Sequence, residues 1–359
     1  MRERSATLSA AGWRIVLLAS LGGTLEFYDF VVFGIFAKDI ADAFFPSTSA
    51  IVSLMASFGA FATGYLARPI GGIVLSHYGD RYGRRRVFLW SVFVMSGATL
   101  GMGLVPPHAR WGAVASATIV LLRLIQGFCL GGVLSFILRQ SLEESPEFAR
   151  MRALAVRQPF RELLRTHAVQ VVVGCALLAA TACFTGLFFS HLPAYLTTVL
   201  RYDPRDAIQA QTIGVMAHAT GILVVGWIGD RVAPRYLLRA GALLLLAFSY
   251  SFYRGLETRA ISPTLILVLA GACGGLTNGS FAVLLTDLFP TRIRFSGVAL
   301  VFNVSFTIFS GMSPLLATTL IRQTGAPSAP AILIAGGALL ALAGSLAAPR
   351  YGGNVLGRA

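Results

Sequence analysis

Long apolar runs alternate with short polar segments along the whole chain. Ten runs stand out, at about 13–37, 51–75, 87–106, 112–138, 168–190, 208–229, 236–253, 264–287, 296–321 and 328–348. Each approaches the length, about 20 residues, that carries a helix across the hydrocarbon core of a bilayer. Backbone in that setting must satisfy its own hydrogen bonds, so the runs predict helices. Glycine recurs inside them, which allows close helix packing where no hydrophobic force drives association. The pattern predicts an all-α polytopic membrane protein of about ten transmembrane helices.

The polar segments divide the runs into two unequal groups. The longest, Arg139–His167, reads RQSLEESPEFARMRALAVRQPFRELLRTH. Its mixed charges and two prolines predict a connector with short surface helices. The expected organisation is a four-span half over 1–138, a connector over 139–167, a six-span half over 168–349 and a tail over 350–359. A charged hairpin, SHYGDRYGRRRV at Ser76–Val87, lies between the second and third spans, and a weaker copy, GWIGDRVAPR, occupies Gly226–Arg235. The repeated hairpin predicts two related halves.

Composition agrees with the pattern: 56% of residues are hydrophobic, 12% are charged, and mean hydropathy is +0.74. Soluble domains carry about 25% charged residues. A net charge of +14 on a soluble surface would point to nucleic acid. Here the arginines sit in short loops, where they encode topology, and nucleic-acid binding is rejected. With a cytoplasmic N-terminus, 20 of the 29 Lys and Arg residues fall inside: Arg2, Arg4, Arg14, Arg81, Arg84, Arg85, Arg86, six in 139–165, Arg231, Arg235, Arg239, Arg292, Arg294, Arg350 and Arg358. Seven fall outside, and Arg68 and Arg123 lie within spans. Both termini are therefore expected on the cytoplasmic side. The first run lacks a small-residue cleavage site and is expected to stay as a span. The four cysteines lie in apolar runs without metal-ligand spacing. No Walker-type loop, metal constellation or nucleophile–base pair appears, which argues against an enzyme or an ATP-driven pump. The arginine-rich composition points to a GC-rich bacterial genome and hence an inner membrane.

The halves differ in one informative way. In the second, Asp230 is followed by the glycine-rich GGLTNG at 274–279, then DLFPTRIRFSG and two further spans. In the first, Asp80 is followed at a similar distance by Arg123 and GFCLGG at 127–132, and then directly by VLSFILRQSLEESPEF. No counterpart of the loop or of the next two spans is present.

GDRYGRRR at 79–86, after RPIGG at 68–72, resembles the loop between the second and third helices of the major facilitator superfamily. GTLEFYDFVVFG at 23–34, RLIQGFCLGG at 123–132, SLEESPEF at 141–148, LPAYLTTVL at 192–200 and DLFPTRIRFSG at 287–297 are similar to its metabolite:proton symporter branch, which includes carriers of citrate, 2-oxoglutarate, shikimate and proline or betaine. The resemblance implies two six-helix halves, so this chain reads as a shortened, four-plus-six version lacking helices five and six. It implies, for Asp80, Arg81, Gly83, Arg84 and Arg85, charge-relay contacts that hold an inward gate. Asp230, Arg231 and Arg235 would form the weaker second copy.

Several residues carry candidate chemistry on their own account. Glu26 and Asp29 lie mid-span, three residues apart and so on one helical face. Carboxylates at that depth cost several kcal/mol unless paired or hydrated. They are the candidates for proton coupling; the alternative is a pair neutralised by a neighbouring helix. Arg123 offers a forked guanidinium suited to gripping a carboxylate in two places, or pairs structurally with Glu26 or Asp29. Arg68 is expected to snorkel to the interface. His191, Tyr195, His218, Asn278 and Asn303 are cavity candidates or inter-helix hydrogen-bond partners.

Together these features predict proton-coupled symport of a small organic acid or zwitterion, with substrate, proton and bilayer as partners and no cofactor. Two alternatives stay open. One is a non-transporting deletion remnant, whose lost helix five would leave Glu26, Asp29 and Arg123 nearer lipid. The other is a membrane scaffold or regulatory protein acting through the 139–167 connector. Substrate identity and oligomeric state are not encoded legibly.

Overall fold

The computed structural model describes Tyr28 and residues 31–82, 84–143, 159–290 and 293–350. Among these residues there are helices and no strands, as the apolar runs predicted. A short helix α1 (Ala37–Phe44) is followed by α2 (Ala50–Tyr82), α3 (Arg84–Leu104) and α4 (Ala113–Glu143). The second half comprises α5 (Pro159–Thr166), α6 (the span Ala168–Val199), α7 (Pro204–Gly229), α8 (Pro234–Thr258), α9 (Pro263–Asp287), α10 (the span Ser296–Thr324) and α11 (Ala331–Ala347). Eight of the described helices are long and apolar enough to cross a membrane, and α11 is a shorter apolar helix. The first expected span lies outside the described residues except for its end.

The boundaries depart from expectation at two places. The charged hairpin is not a loop: α2 runs on through Asp80 and Arg81 to Tyr82, and α3 begins at Arg84. No proline interrupts that stretch, and Gly79 is carried within α2. α4 also continues to Glu143, past the expected end of its run, and α5 is a short helix at Pro159–Thr166, inside the expected connector.

In each half the second and fourth helices pack most extensively, α2 on α4 and α7 on α9. Glycine makes this possible. A Cβ at Gly127 would overlap the Gly64 carbonyl, and one at Gly71 or Gly131 would strike the backbone of Phe128 or Arg68. In the second half, Gly271 faces the Gly214 carbonyl and Gly275 the Gly221 backbone in the same manner. The hairpin repeat read from sequence is thus matched by a repeated packing pattern.

The remaining helices complete the second half only. There α11 packs on both α6 and α8, while α10 packs on α6 and reaches across to α2. Burial follows this arrangement. Within its most apolar stretch α8 is 44% buried and α3, its counterpart, 11%; α2 is 56% buried and α7, its counterpart, 17%. The two poorly buried helices are those that, by internal symmetry, would receive counterparts of α11 and α10.

Two side-chain substitutions separate packing glycines from idle ones. Gly127→Val drives a branched side chain into the α2 backbone, so the purified protein is expected to lose most of its folded fraction. Gly97→Ala, where a Cβ meets nothing within 4 Å, leaves the Tm within about 2 °C, since surface changes seldom exceed ~0.5 kcal/mol. Thermal unfolding of both variants in one detergent checks this.

Candidate functional site

The halves meet along a seam between α2 and the two bent helices α6 and α10. Both bends lie beside a proline. α6 opens into wide π turns at Gly186–His191 and Tyr195–Val199, on either side of Pro193. α10 does the same at Phe306–Gly311, just before Pro314. Proline has no N–H and its ring crowds the preceding turn, and wide turns of this kind concentrate at functional places. In the π register the carbonyl of Phe188 would be bonded by residue 193, which has no donor. Gln211 of α7 supplies it, its Nε2 donating to the Phe188 oxygen at 2.7 Å. On α10 the Ser313 hydroxyl donates to the Ser310 carbonyl at 3.1 Å.

These bends make the contacts between halves. A Cβ at Gly34 would overlap Ser190, and one at Gly311 would overlap the Tyr65 ring. Thr307 Oγ1 donates to the Tyr65 carbonyl at 3.0 Å. Phe58 of α2 lies against the His191 ring, centroids 5.7 Å apart. Toward the 45–49 loop the seam closes with Ala37, Leu54 and Phe58 from the first half and Ala194 and Leu315 from the second.

Arg123 is buried, with 1% of its surface exposed. Its Nη1 donates to Gln126 Oε1 at 2.9 Å, and Gln126 Nε2 donates to Thr99 Oγ1 at 2.7 Å. The guanidinium carbon stands 3.7 Å from the Phe33 ring centroid. A cavity of about 210 Å³ borders it, lined by Phe33, Phe36, Thr99, Met102 and Ile119 among others. Loss of helix five was expected to leave Arg123 nearer lipid; Phe33, Gln126 and the close α2 backbone cover it instead. Arg68 likewise corrects an expectation. It does not snorkel but is 2% exposed, its guanidinium carbon 5.1 Å from the Tyr65 ring centroid, because it sits at the tight α2–α4 crossing beside Gly131.

The other candidates separate by what they bond. Tyr195 donates to the Pro327 carbonyl at 2.9 Å, fastening α6 to the segment before α11. His218 Nδ1 lies 3.0 Å from the Gly271 carbonyl, with its ring among Phe184, Phe188 and Phe189, so it joins α7 to α9. Asn303 Nδ2 donates to the Ala299 carbonyl in its own helix at 2.9 Å, while its Oδ1, and Asn278 Nδ2, have no hydrogen-bond partner. His191 is fully buried, stacked on Tyr195 at 5.4 Å, and neither ring nitrogen has a partner.

At the charged hairpins, Arg81 is exposed and 5.6 Å from the Tyr82 ring centroid. Arg231 covers Trp227 at 4.2 Å and Arg235 covers Tyr236 at 4.9 Å. Asp230 is exposed. Glu26, Asp29 and Gly83, and the side chains of Asp80, Arg84 and Arg85, lie outside the described residues. Sequence reading missed Gln126 and Gln211, amides within apolar runs and therefore in need of partners, and Arg239, which donates to Ser345 Oγ and the Ser345 carbonyl at 2.8 and 2.9 Å.

Two family models match the chain, one described as the Major Facilitator Superfamily over residues 155–314 and one as "Sugar (and other) transporter" over residues 15–147. The chain is thus similar in sequence to the major facilitator superfamily over residues 155–314. It is 29% identical to a citrate-proton symporter of Salmonella typhi over 411 aligned positions, covering 94% of each chain. A proline/betaine transporter of Salmonella typhimurium is 24% identical, with 87% of this chain and 78% of that one covered. The alignment of 411 positions is longer than the 359 residues here, so the citrate-proton symporter carries sequence with no counterpart in this chain. A D-xylose-proton symporter structure superposes with a TM-score of 0.71 at 17% identity, covering 96% of this chain and 99% of that one. The chain is therefore a shortened, helical polytopic membrane protein with a major-facilitator-like fold.

Gln211→Leu removes the donor that replaces the Pro193 N–H. An orphaned buried carbonyl costs about 1–3 kcal/mol, and the substitution is expected to destabilise the protein by that amount. Gln209→Leu, on the exposed side of α7, is expected to change stability by less than ~0.5 kcal/mol. Reversible unfolding in mixed micelles distinguishes the two.

Proposed function

We propose that the protein carries a small organic acid or zwitterion together with a proton, by alternating access of its two halves. The observation that carries this reading is the seam. The halves touch through small residues, Gly34 on Ser190 and Gly311 on Tyr65, at places where proline has loosened the helix. Contacts of that kind part and re-form as rigid halves rock about a site near the bilayer midplane. The named relatives, citrate-proton symporters and a proline/betaine transporter, support the substrate class. Glu26 and Asp29 take up and release the coupling proton in this reading. Arg123, held by Gln126 with its guanidinium beside a cavity, binds the substrate carboxylate. Asp80, Arg81, Gly83, Arg84 and Arg85, with Asp230, Arg231 and Arg235, hold the cytoplasmic gate. Asn278 and Asn303 each keep one free amide atom for substrate. Both termini face the cytoplasm of a bacterial inner membrane.

A second reading, a non-transporting remnant, is favoured by one observation. Both α3 and α7 lack the cover that α8 and α2 receive, being 11% and 17% buried. The missing stretch would supply helices five and six at those two faces.

Uptake into proteoliposomes under an imposed proton gradient, with citrate, 2-oxoglutarate, shikimate and betaine as test ligands, decides between the readings. A chain with helices five and six restored serves as control. Transport by both forms, reduced to background by Glu26→Gln, is the expected result. Transport by the restored form alone establishes the remnant. For a carboxylate substrate, Arg123→Lys is expected to raise KM about 10- to 100-fold, since a charged hydrogen bond contributes about 1.5–3 kcal/mol.

A further inference from the structure

A cavity of about 800 Å³ lies away from the seam, walled by residues of α2, α3 and α4. It shares no lining residue with the cavity beside Arg123. Its shape follows from unequal packing. Gly71 lets α2 press onto the Phe128 backbone of α4, whereas only 11% of the apolar stretch of α3 is buried. The wedge left between α2 and α3 is floored by Leu124, Phe128 and Cys129 of α4. It opens outward, since Ile70 is 60%, Tyr82 55% and Trp90 67% exposed. A groove that opens sideways from a set of spans opens into the bilayer.

The groove changes character along its length. Ile70, Leu75, Val94, Leu124 and Phe128 line its apolar part, while Tyr78, Tyr82 and Arg86 stand at the end nearest the junction of α2 and α3. Tyr78 stacks on Tyr82 with ring centroids 5.8 Å apart, and the Arg81 guanidinium carbon lies 5.6 Å from the Tyr82 ring centroid. The sequence at this end, Ser76–Val87, carries four arginines against one aspartate. Tyrosine rings settle at headgroup depth, and arginine grips phosphate through its forked guanidinium. From Arg86 to Val94 α3 rises about 12 Å, close to the ~15 Å depth of one hydrocarbon leaflet.

We propose that this groove is a binding site for one anionic phospholipid. The lipid phosphate pairs with Arg86, in the arginine-rich end, and one acyl chain lies along α3 against Ile70, Val94, Leu124 and Phe128. Basic recesses between spans are suited to anionic headgroups. The lipid fills the wedge and ties α3, the least buried of the described spans, to α2 and α4. A second copy of the chain fits this face less well. A twofold axis along the membrane normal would set two arginine-rich ends side by side, where like charges repel. Free phosphate would meet the arginines and leave the apolar length unfilled.

The test begins with the unaltered chain, extracted from vesicles holding equal amounts of phosphatidylglycerol and phosphatidylcholine. Native mass spectrometry is expected to find a single phosphatidylglycerol retained per chain, about fivefold more often than phosphatidylcholine, the preference one arginine confers near an anionic headgroup. Arg86→Gln is expected to abolish that preference. Trp90, which lines the groove, reports where the lipid sits. With Trp13, Trp111 and Trp227 replaced by phenylalanine, phosphatidylglycerol brominated in its acyl chains is expected to quench the remaining tryptophan. Leu124→Phe, which narrows the floor, is expected to lose most of that quenching. Equal retention of the two lipids by the unaltered chain overturns the proposal without requiring any variant to fold. So do a preference that survives Arg86→Gln, quenching that Leu124→Phe leaves intact, and displacement of the lipid by inorganic phosphate but not by chloride at the same ionic strength. A lipid-free mass of two chains overturns it in favour of the second copy.

Discussion

Backbone hydrogen bonding in an apolar phase governs this molecule more than any side-chain contact. Where water is absent, an unbonded N–H or C=O costs several kcal/mol, so a proline within a span forces a local solution. At Pro193 and Pro314 that solution is a widened turn plus a borrowed donor, from Gln211 in one case and Ser313 in the other. The widened turns then face α2, where small residues let the halves touch. Two missing backbone hydrogens thus coincide with the places where the second half bends toward α2.

The architecture was largely legible because its causes are local. Apolar runs of bilayer length, a repeated charged hairpin and the abrupt junction after GFCLGG need no knowledge of tertiary contacts. The site was less legible because it depends on which way side chains turn. Arg68 reads as a snorkelling residue by depth, yet the glycine-lined crossing with α4 turns it inward. Tyr195 and His218 read from sequence as either cavity residues or inter-helix partners, and both are occupied in tying helices together. Nothing in spacing distinguishes His191, with two free nitrogens, from His218, with a carbonyl partner. The Gln211 amide follows from Pro193 only after α6 and α7 are known to be neighbours.

The same comparison explains why the two halves behave as unequal partners. α10 and α11 give the second half a closed ring of helices around Phe184, Phe188, Tyr195, Phe252 and Tyr253. In the first half α4 and α2 hold each other through glycine, and α3 leans on α4 with most of its surface outward. Arg123 stays covered because its cover comes from Phe33, Gln126 and the α2 backbone.

The Tyr195–Pro327 hydrogen bond has a reach beyond its strength. It joins a helix that lines the seam to the segment leading into α11, on the far side of the same half. Any tilt of the α6 tip is thereby conveyed to α11, and through the Arg239–Ser345 contact onward to α8. These two contacts brace the second half at two separate places, one at each end.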